Sequence, residues 1–178
     1  MKNFLKILGI VLLVPYVIIA IILTVFLLNY NKYGVTEMGG KTYIPVTSNE
    51  LMPNYKKGDL LVVKNAKNDE INENDYIFFY EQNQEKKDVV INLARVVSKR
   101  VINENETTYT LEGDVAYSSE YVIGTKRDTK VYGSLGSIVS ILESRWVFLI
   151  FVILPILFIF LFELYTFAIE VKKNLKEA

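Results

Sequence analysis

The sequence of 178 residues contains no cysteine and no histidine. Without cysteine the chain forms no disulfide and holds no thiolate metal site. Without histidine it lacks the commonest general base at neutral pH and the commonest ligand of transition metals. The 20 basic and 20 acidic residues balance, and no basic stripe marks a nucleic-acid surface. The composition therefore predicts no metal site, no cofactor and no nucleic-acid partner.

The first long apolar run lies near the N-terminus, over residues 7–28, and contains 22 uncharged residues. As a helix it would span about 33 Å, compared with a bilayer core of about 30 Å. Pro15 is tolerated in a membrane helix. A cleaved signal peptide is the alternative, but such peptides usually have a shorter apolar region and a small-residue cleavage site. We therefore predict a retained transmembrane helix over 7–28, preceded by a cytoplasmic segment, 1–6.

The second long apolar run covers 146–169 and is interrupted once, by Glu163. Trp146 and Tyr165 suit the two membrane interfaces, where amphipathic aromatic residues collect. A carboxylate at mid-membrane would indicate function. Glu163 lies near one end of the run, so its side chain is expected to reach the headgroups instead. The run predicts a second transmembrane helix, followed by a cytoplasmic tail over 170–178.

Lysines flank both predicted membrane helices on the sides that face the chain termini. They are Lys2, Lys6, Lys172, Lys173 and Lys176. Lys and Arg beside the ends of membrane helices favour the cytoplasmic side. Both termini are therefore predicted to be cytoplasmic at the plasma membrane, with 29–145 as an extracytoplasmic domain.

The domain between the two apolar runs is predicted to be mainly β. Short runs of β-branched and aromatic residues alternate with polar, turn-prone stretches. These runs are 43–48, 59–64, 75–80, 89–102, 107–111 and 130–132. The run over 89–102 is long enough for a bent strand shared by two sheets. We expect several short strands and no amphipathic helix of useful length between the membrane helices.

Short motifs follow one another through this domain. They are Thr47-Ser-Asn-Glu-Leu-Met-Pro53, Lys57-Gly-Asp-Leu60, Asn74-Asp-Tyr-Ile-Phe78, Ala94-Arg-Val-Val97, Glu112-Gly-Asp114 and Val131-Tyr-Gly133. Their order resembles type I signal peptidases, in particular the archaeal and endoplasmic-reticulum-like branch that also occurs in Gram-positive bacteria. That branch has S-x-S-M-x-P, two successive G-D motifs, H-R-V, and G-D-x-N with a following Asp. The resemblance covers roughly residues 43–135 and implies a signal-peptidase-like β domain.

The resemblance also implies where the catalytic residues would lie. Enzymes of this family cut exported precursors at the outer membrane face with a Ser nucleophile and a Lys or His base. Counted from Pro53, the nucleophile position falls on Glu50, and counted from Arg95, the base position falls on Ala94. Asp114 matches the late acidic motif, whose Asn is lost. Both central catalytic groups are absent, so the resemblance implies a catalytically degenerate member of the family.

Two substitutes for the missing groups remain open. One is a Ser48–Lys99 dyad, because a hydroxyl becomes nucleophilic when a base within hydrogen-bond reach takes its proton. In a regular strand Lys99 would face away from the side of Ala94, since five positions is an odd step, but a bulge would change that parity. The other is a Glu50–Asp114 acid pair that shares a proton.

The function predicted from these features is binding of an exported chain without cleavage. Met52 and Pro53 are the candidate substrate-binding residues, with Met52 either an exposed apolar tip or part of the core. Pairing an extended peptide with a strand edge needs no catalytic residue. The expected partners are the lipid bilayer and an exported precursor or a pilus-type surface protein, because some signal-peptidase-like proteins without catalytic residues assist surface-pilus assembly. An active signal peptidase with relocated Ser and Lys residues, and a membrane scaffold that docks another protein, are the alternatives.

Overall fold

A computed structural model describes most of the chain, namely residues 2–49, 51, 53–82, 89–103 and 106–177. The chain divides into two compact units. One comprises Met1–Leu28 and Leu142–Ala178, and the other comprises Asn29–Ile141. The first unit is helical, and the β-strands lie in the second.

The C-terminal apolar run forms a continuous helical segment. It consists of α3 (Arg145–Phe148), a π-helical stretch (Leu149–Ile153) and α4 (Leu154–Glu177). Pro155 has no N–H to donate to the carbonyl four residues earlier, and the wider π turn lies directly before it. Within the described residues, one helix, Arg145–Lys172, is long and apolar enough to cross a membrane, with a mean hydropathy of 3.0. The predicted C-terminal apolar helix is therefore confirmed.

The N-terminal run is also helical, as α1 (Lys2–Leu28). Of this helix, Leu13–Leu28 is apolar among the residues searched, and that stretch is shorter than a membrane span. The transmembrane role of 7–28 therefore stays a prediction.

Within the described part of the second unit, nine strands form two antiparallel sheets. They are β1 (Thr36–Met38), β2 (Lys41–Pro45), β3 (Leu60–Lys64), β4 (Tyr76–Gln82), β5 (Val89–Val101), β6 (Thr107–Leu111), β7 (Val115–Ser118), β8 (Val122–Thr125) and β9 (Thr129–Tyr132). The first sheet has the order β1-β2-β3-β9, and the second has the order β7-β6-β5-β4-β8. The predicted mainly β character of this segment is confirmed.

Two hydrophobic clusters hold the unit together, and β4 contributes to both. Phe78 of β4 packs in a cluster that also contains Leu61 and Val63 of the first sheet. Ile77, on the opposite face of β4, packs in a second cluster with Tyr109. Because successive residues of a strand point to opposite faces, the continuous apolar run in β4 serves both clusters.

Strand β5 is the long strand predicted over 89–102, and its two halves pair with different partners within the five-stranded order. Its first half pairs with β4 and its second half with β6, where the register shifts between Val96 and Ser98. Beyond this bulge Lys99 lies opposite Tyr109, whereas Val96 lies opposite Leu111. Tyr109 and Leu111 are two positions apart on one face of β6, so Val96 and Lys99 also share a face.

Several elements are absent from the predicted set. Strands β1, β7 and β8 are short, with three or four residues each. The helix α2 (Leu135–Leu142) corrects the expectation that no useful helix lies between the apolar runs. Its apolar residues recur with helical spacing, but it has only eight residues and a glycine in its first turn.

Candidate functional site

The motifs that contain Gly58-Asp59 and Asn74-Asp75 form turns of the same geometry, over 56–59 and 72–75. In each turn the closing Asp accepts, through Oδ2, the backbone N–H of the first residue at 2.9 Å. The N–H of that Asp donates back to the first residue's carbonyl, at 3.1 Å in one turn and 3.2 Å in the other. The residue before the Asp has a positive φ, 95° at Gly58 and 70° at Asn74. Each turn directly precedes a strand, so both motifs have a structural role.

The third, fourth and fifth motifs meet in the five-stranded sheet. The Asn74 N–H donates to the Val96 carbonyl at 2.8 Å, and the Val96 N–H donates to the Asp75 carbonyl at 2.8 Å. The Glu112 N–H donates to the Arg95 carbonyl at 3.0 Å, and Arg95 Nε lies 2.8 Å from Glu112 Oε1. Motifs that are separate in the sequence are thus joined by backbone hydrogen bonds and one ion pair.

The motif at 57–60 pairs instead with the motif at 131–133, in the four-stranded sheet. Leu60, which follows that turn, lies opposite Tyr132 across the β3–β9 pair. The Gly136 N–H, in the first turn of α2, donates to the Gly58 carbonyl at 2.9 Å. Five of the six motifs therefore fall into two groups, one in each sheet.

Ala94, the position aligned with a general base, is half-buried in β5. It lies opposite Ile77 and packs against the second hydrophobic cluster. A larger polar side chain at this position would have to displace apolar neighbours in that cluster.

Asp114, aligned with the late acidic motif, is exposed in the hairpin turn between β6 and β7. Gly113 and Asp114 both have positive φ, 94° and 58°. Hairpin turns need such backbone conformations, and Gly and Asp are among the residues that adopt them most readily. This geometry accounts for the Gly-Asp pair as a turn.

Lys99 lies on the same side of the sheet as Val96 because of the bulge in β5, and its ammonium group is held by backbone carbonyls. Nζ donates to Asn68 O at 2.6 Å and to Ile71 O at 2.9 Å. The neighbouring Tyr109 hydroxyl donates to Asn68 O at 3.3 Å, and burial raises the pKa of Tyr109 to about 12. These contacts use the Lys99 nitrogen as a donor, whereas a general base needs a lone pair directed at the hydroxyl.

Ser48 is half-buried just beyond the end of β2. The preceding segment is tied to the first Gly-Asp turn, because the Val46 N–H donates to Asp59 O at 2.8 Å. Asp59 directly precedes Leu60, the first residue of β3. The Asn68 and Ile71 carbonyls, which hold Lys99, come after Lys64 at the opposite end of that strand. The described contacts therefore do not bring the two members of the substitute dyad together.

The loop after Ser48 contains the remaining candidate residues. Pro53 is exposed, and the neighbouring Leu51 and Tyr55 are buried, with the Tyr55 N–H donating to the Leu51 carbonyl at 3.1 Å. Glu50 and Met52 lie outside the described residues, so the Glu50–Asp114 acid pair and the roles of Glu50 and Met52 stay predictions.

A groove on the outer face of the four-stranded sheet was not predicted from the sequence. It has a volume of about 620 Å³. Its apolar and aromatic lining consists of Tyr43, Leu60, Val62, Tyr132 and Leu135. The alternation of exposed and buried residues in β2 and β3 is a signal for such a face, but the sequence does not indicate which strand lies beside which.

The edges of the two sheets differ in how far they are covered. Beside β1, Tyr30 forms a bridge with Thr36 and the Glu37 N–H donates to Asn29 O at 2.8 Å. Beside β8, the Ala66 N–H donates to Ile123 O at 3.1 Å. Within the described residues, β9 pairs with β3 alone and β7 pairs with β6 alone. The outer edges of β9 and β7 are thus available for pairing with another strand.

The surroundings of these two open edges also differ. The groove beside β9 has an apolar floor. A cavity near the end of β7 is lined instead by polar and acidic side chains. These are Asn68, Glu106, Ser118, Ser119 and Glu120. Of the two open edges, β9 is therefore the better suited to a peptide with apolar side chains.

No protein-family model matches the chain, and no curated protein matches it significantly.

Proposed function

We propose that this chain is a membrane-anchored, non-catalytic relative of type I signal peptidases that captures an extended segment of an exported protein. The capture takes place by strand addition at the outer edge of β9, where backbone groups pair with backbone groups. The relationship to signal peptidases is supported by the order of the motifs and by the hydrogen bonds that join three of them. The absence of catalysis is supported by Ala94 at the base position and by the carbonyl contacts of Lys99.

The observation that carries this proposal is the exposure of Val131 on β9. Val131 lies opposite Leu61, whose side chain is fully buried, yet Val131 itself remains 49% exposed. A strand that pairs with the outer edge of β9 would place a side chain beside Val131 and cover this apolar surface. An exposed edge with an apolar residue is a template for pairing with another chain, and folded proteins usually block such edges.

We further propose that α1 and the Arg145–Lys172 helix both cross the plasma membrane, with 29–145 outside and both termini cytoplasmic. The lysines beside the two helices support this topology. Because the chain has no cysteine, a single introduced thiol reports on one position. We expect Gln84→Cys to react with an impermeant maleimide on intact cells, whereas Asn3→Cys and Leu175→Cys should react only after lysis. Labelling of either terminus from outside would refute the topology with two membrane helices.

The capture proposal is tested with the full-length protein in nanodiscs and a rhodamine-labelled peptide of alternating Thr and Val residues. We expect Val131→Lys to weaken binding by at least about tenfold, because a lysine at the edge opposes strand addition. Binding is measured by fluorescence anisotropy.

Val115→Lys is the matched control. Val115 lies on the open edge of β7 and is 50% exposed, so it differs little from Val131 in residue type and exposure. We expect this variant to bind within about twofold of the unmodified protein. Failure of the unmodified protein to bind the peptide, or equal losses in the two variants, would contradict capture at β9.

A further inference from the structure

The face of the four-stranded sheet beside β9 carries lysines that lie close together. Lys41 of β2 lies directly opposite Lys64 of β3, and both side chains are exposed. Residues directly opposite in an antiparallel pair have Cβ atoms about 5 Å apart, and like charges at that distance are destabilising. Such a pair lowers the stability of the free protein and would be relieved by an anionic ligand.

A third lysine on the same face extends this positive surface to the open edge. Lys130 of β9 lies opposite Val62, which is two positions before Lys64 and therefore on the same face of β3. Among the described residues, ion pairs reach only Lys64 of these three lysines, through Glu70 Oε1 at 3.5 Å. Lys41, Lys64 and Lys130 form the lysine face.

Asp128, the carboxylate among the groove-lining residues, offsets this face only in part. Asp128 accepts the Thr125 hydroxyl at 2.7 Å and lies 3.4 Å from Arg127 Nε. The Thr125 hydroxyl, then the Arg127 guanidinium and last the positive charge of Lys64 hold the pKa of Asp128 below its ordinary value. Arg127 also binds Asp75, at 3.2 Å. One guanidinium against two carboxylates leaves one negative charge, and Glu70 offsets Lys64, so the three lysines of the lysine face still leave a net positive charge.

We infer that the peptide captured at β9 carries a carboxylate beside Lys130, on the side that faces the groove. The inference rests on the proposed function, because it requires a strand added to β9. Every second residue of such a strand lies on the groove side. The residue beside Lys130 is acidic, and the residue two positions along, beside Tyr132, is apolar or aromatic. The residue between them lies on the opposite face, beside Val131, and is apolar.

Three labelled peptides test this inference with the full-length protein in nanodiscs of zwitterionic lipid. They share alternating Val residues and carry Thr, Asp or Lys at the intervening positions. At low salt we expect the Asp peptide to bind about tenfold more tightly than the Thr peptide, and the Lys peptide to bind most weakly. Because exposed charges are screened by salt, the preference should shrink in 0.5 M NaCl.

Lys130→Glu should reverse the order of the Asp and Lys peptides, whereas Arg100→Glu should leave it unchanged. Arg100 is an exposed cation on β5 of the other sheet, and its replacement changes the net charge by the same amount. If all three peptides bind equally and Lys130→Glu has no effect, the inference is wrong and the proposed capture stands. If none of the peptides binds, the proposed capture itself is contradicted.

Discussion

Replacing Gly136 with alanine is expected to lower the free energy of unfolding of the β unit by about 3 kcal/mol or more. An ideal Cβ at this position would lie 2.1 Å from Asp59 O, 2.6 Å from Asp59 C and 2.9 Å from Gly58 O. All three are backbone atoms, so no rotamer change relieves the clash. The variant would have to separate α2 from the first Gly-Asp turn, which would break the hydrogen bond from Gly136 N to Gly58 O.

Urea unfolding of the full-length protein in detergent, followed by circular dichroism in the β region, measures this effect. Gly133→Ala is the matched control, because its added Cβ would meet only Asp59 Oδ1, at 3.9 Å, which is an ordinary contact. We expect the control to unfold within about 0.5–1 kcal/mol of the unmodified protein. Equal midpoints for the two variants would show that α2 does not pack on this turn as described.

The elements that the sequence predicts well are those whose pattern is local. The run 59–64 and the run 75–80 are continuous stretches of apolar and aromatic residues after a turn motif, and they correspond to β3 and β4. In contrast, β7 and β8 have four residues each and are separated by a 3₁₀ turn, Ser119–Tyr121. Such short strands exist because of pairing with distant segments, and a local pattern carries little of that information.

The side-chain arrangement at the candidate site depends on features that the sequence leaves open. The side of β5 on which Lys99 lies depends on a bulge, and one extra residue reverses the alternation of faces. The lysine face depends on register, because Lys41, Lys64 and Lys130 come from strands that are far apart in the sequence. The sequence predicts that Lys99 shares a face with Ala94 only if β5 contains a bulge, and the structure shows that bulge between Val96 and Ser98.

We expect the purified protein not to cleave precursors that carry signal peptides. Amide hydrolysis needs a nucleophile and a base that act as a unit, and loss of either removes most of the rate. Ala94, which the resemblance to signal peptidases assigns to the base position, packs against apolar side chains, and the Lys99 ammonium is bound to two carbonyls. Glu50→Ser alone should therefore remain nearly inert. Glu50→Ser with Ala94→His is expected to recover weak activity at most, since the imidazole must fit beside the second hydrophobic cluster.

A single incubation tests capture and cleavage together. Full-length protein in liposomes is mixed with a radiolabelled, unfolded precursor. The liposomes are pelleted, and the labelled chains in the pelleted and soluble fractions are then separated by size. With the unmodified protein and with the Val115→Lys variant, we expect the precursor to sediment intact with the liposomes. With the Val131→Lys variant, we expect it to remain in the soluble fraction. Shortened precursor produced by the unmodified protein, and lost in Ser48→Ala or Lys99→Ala, would contradict this account and identify an active peptidase.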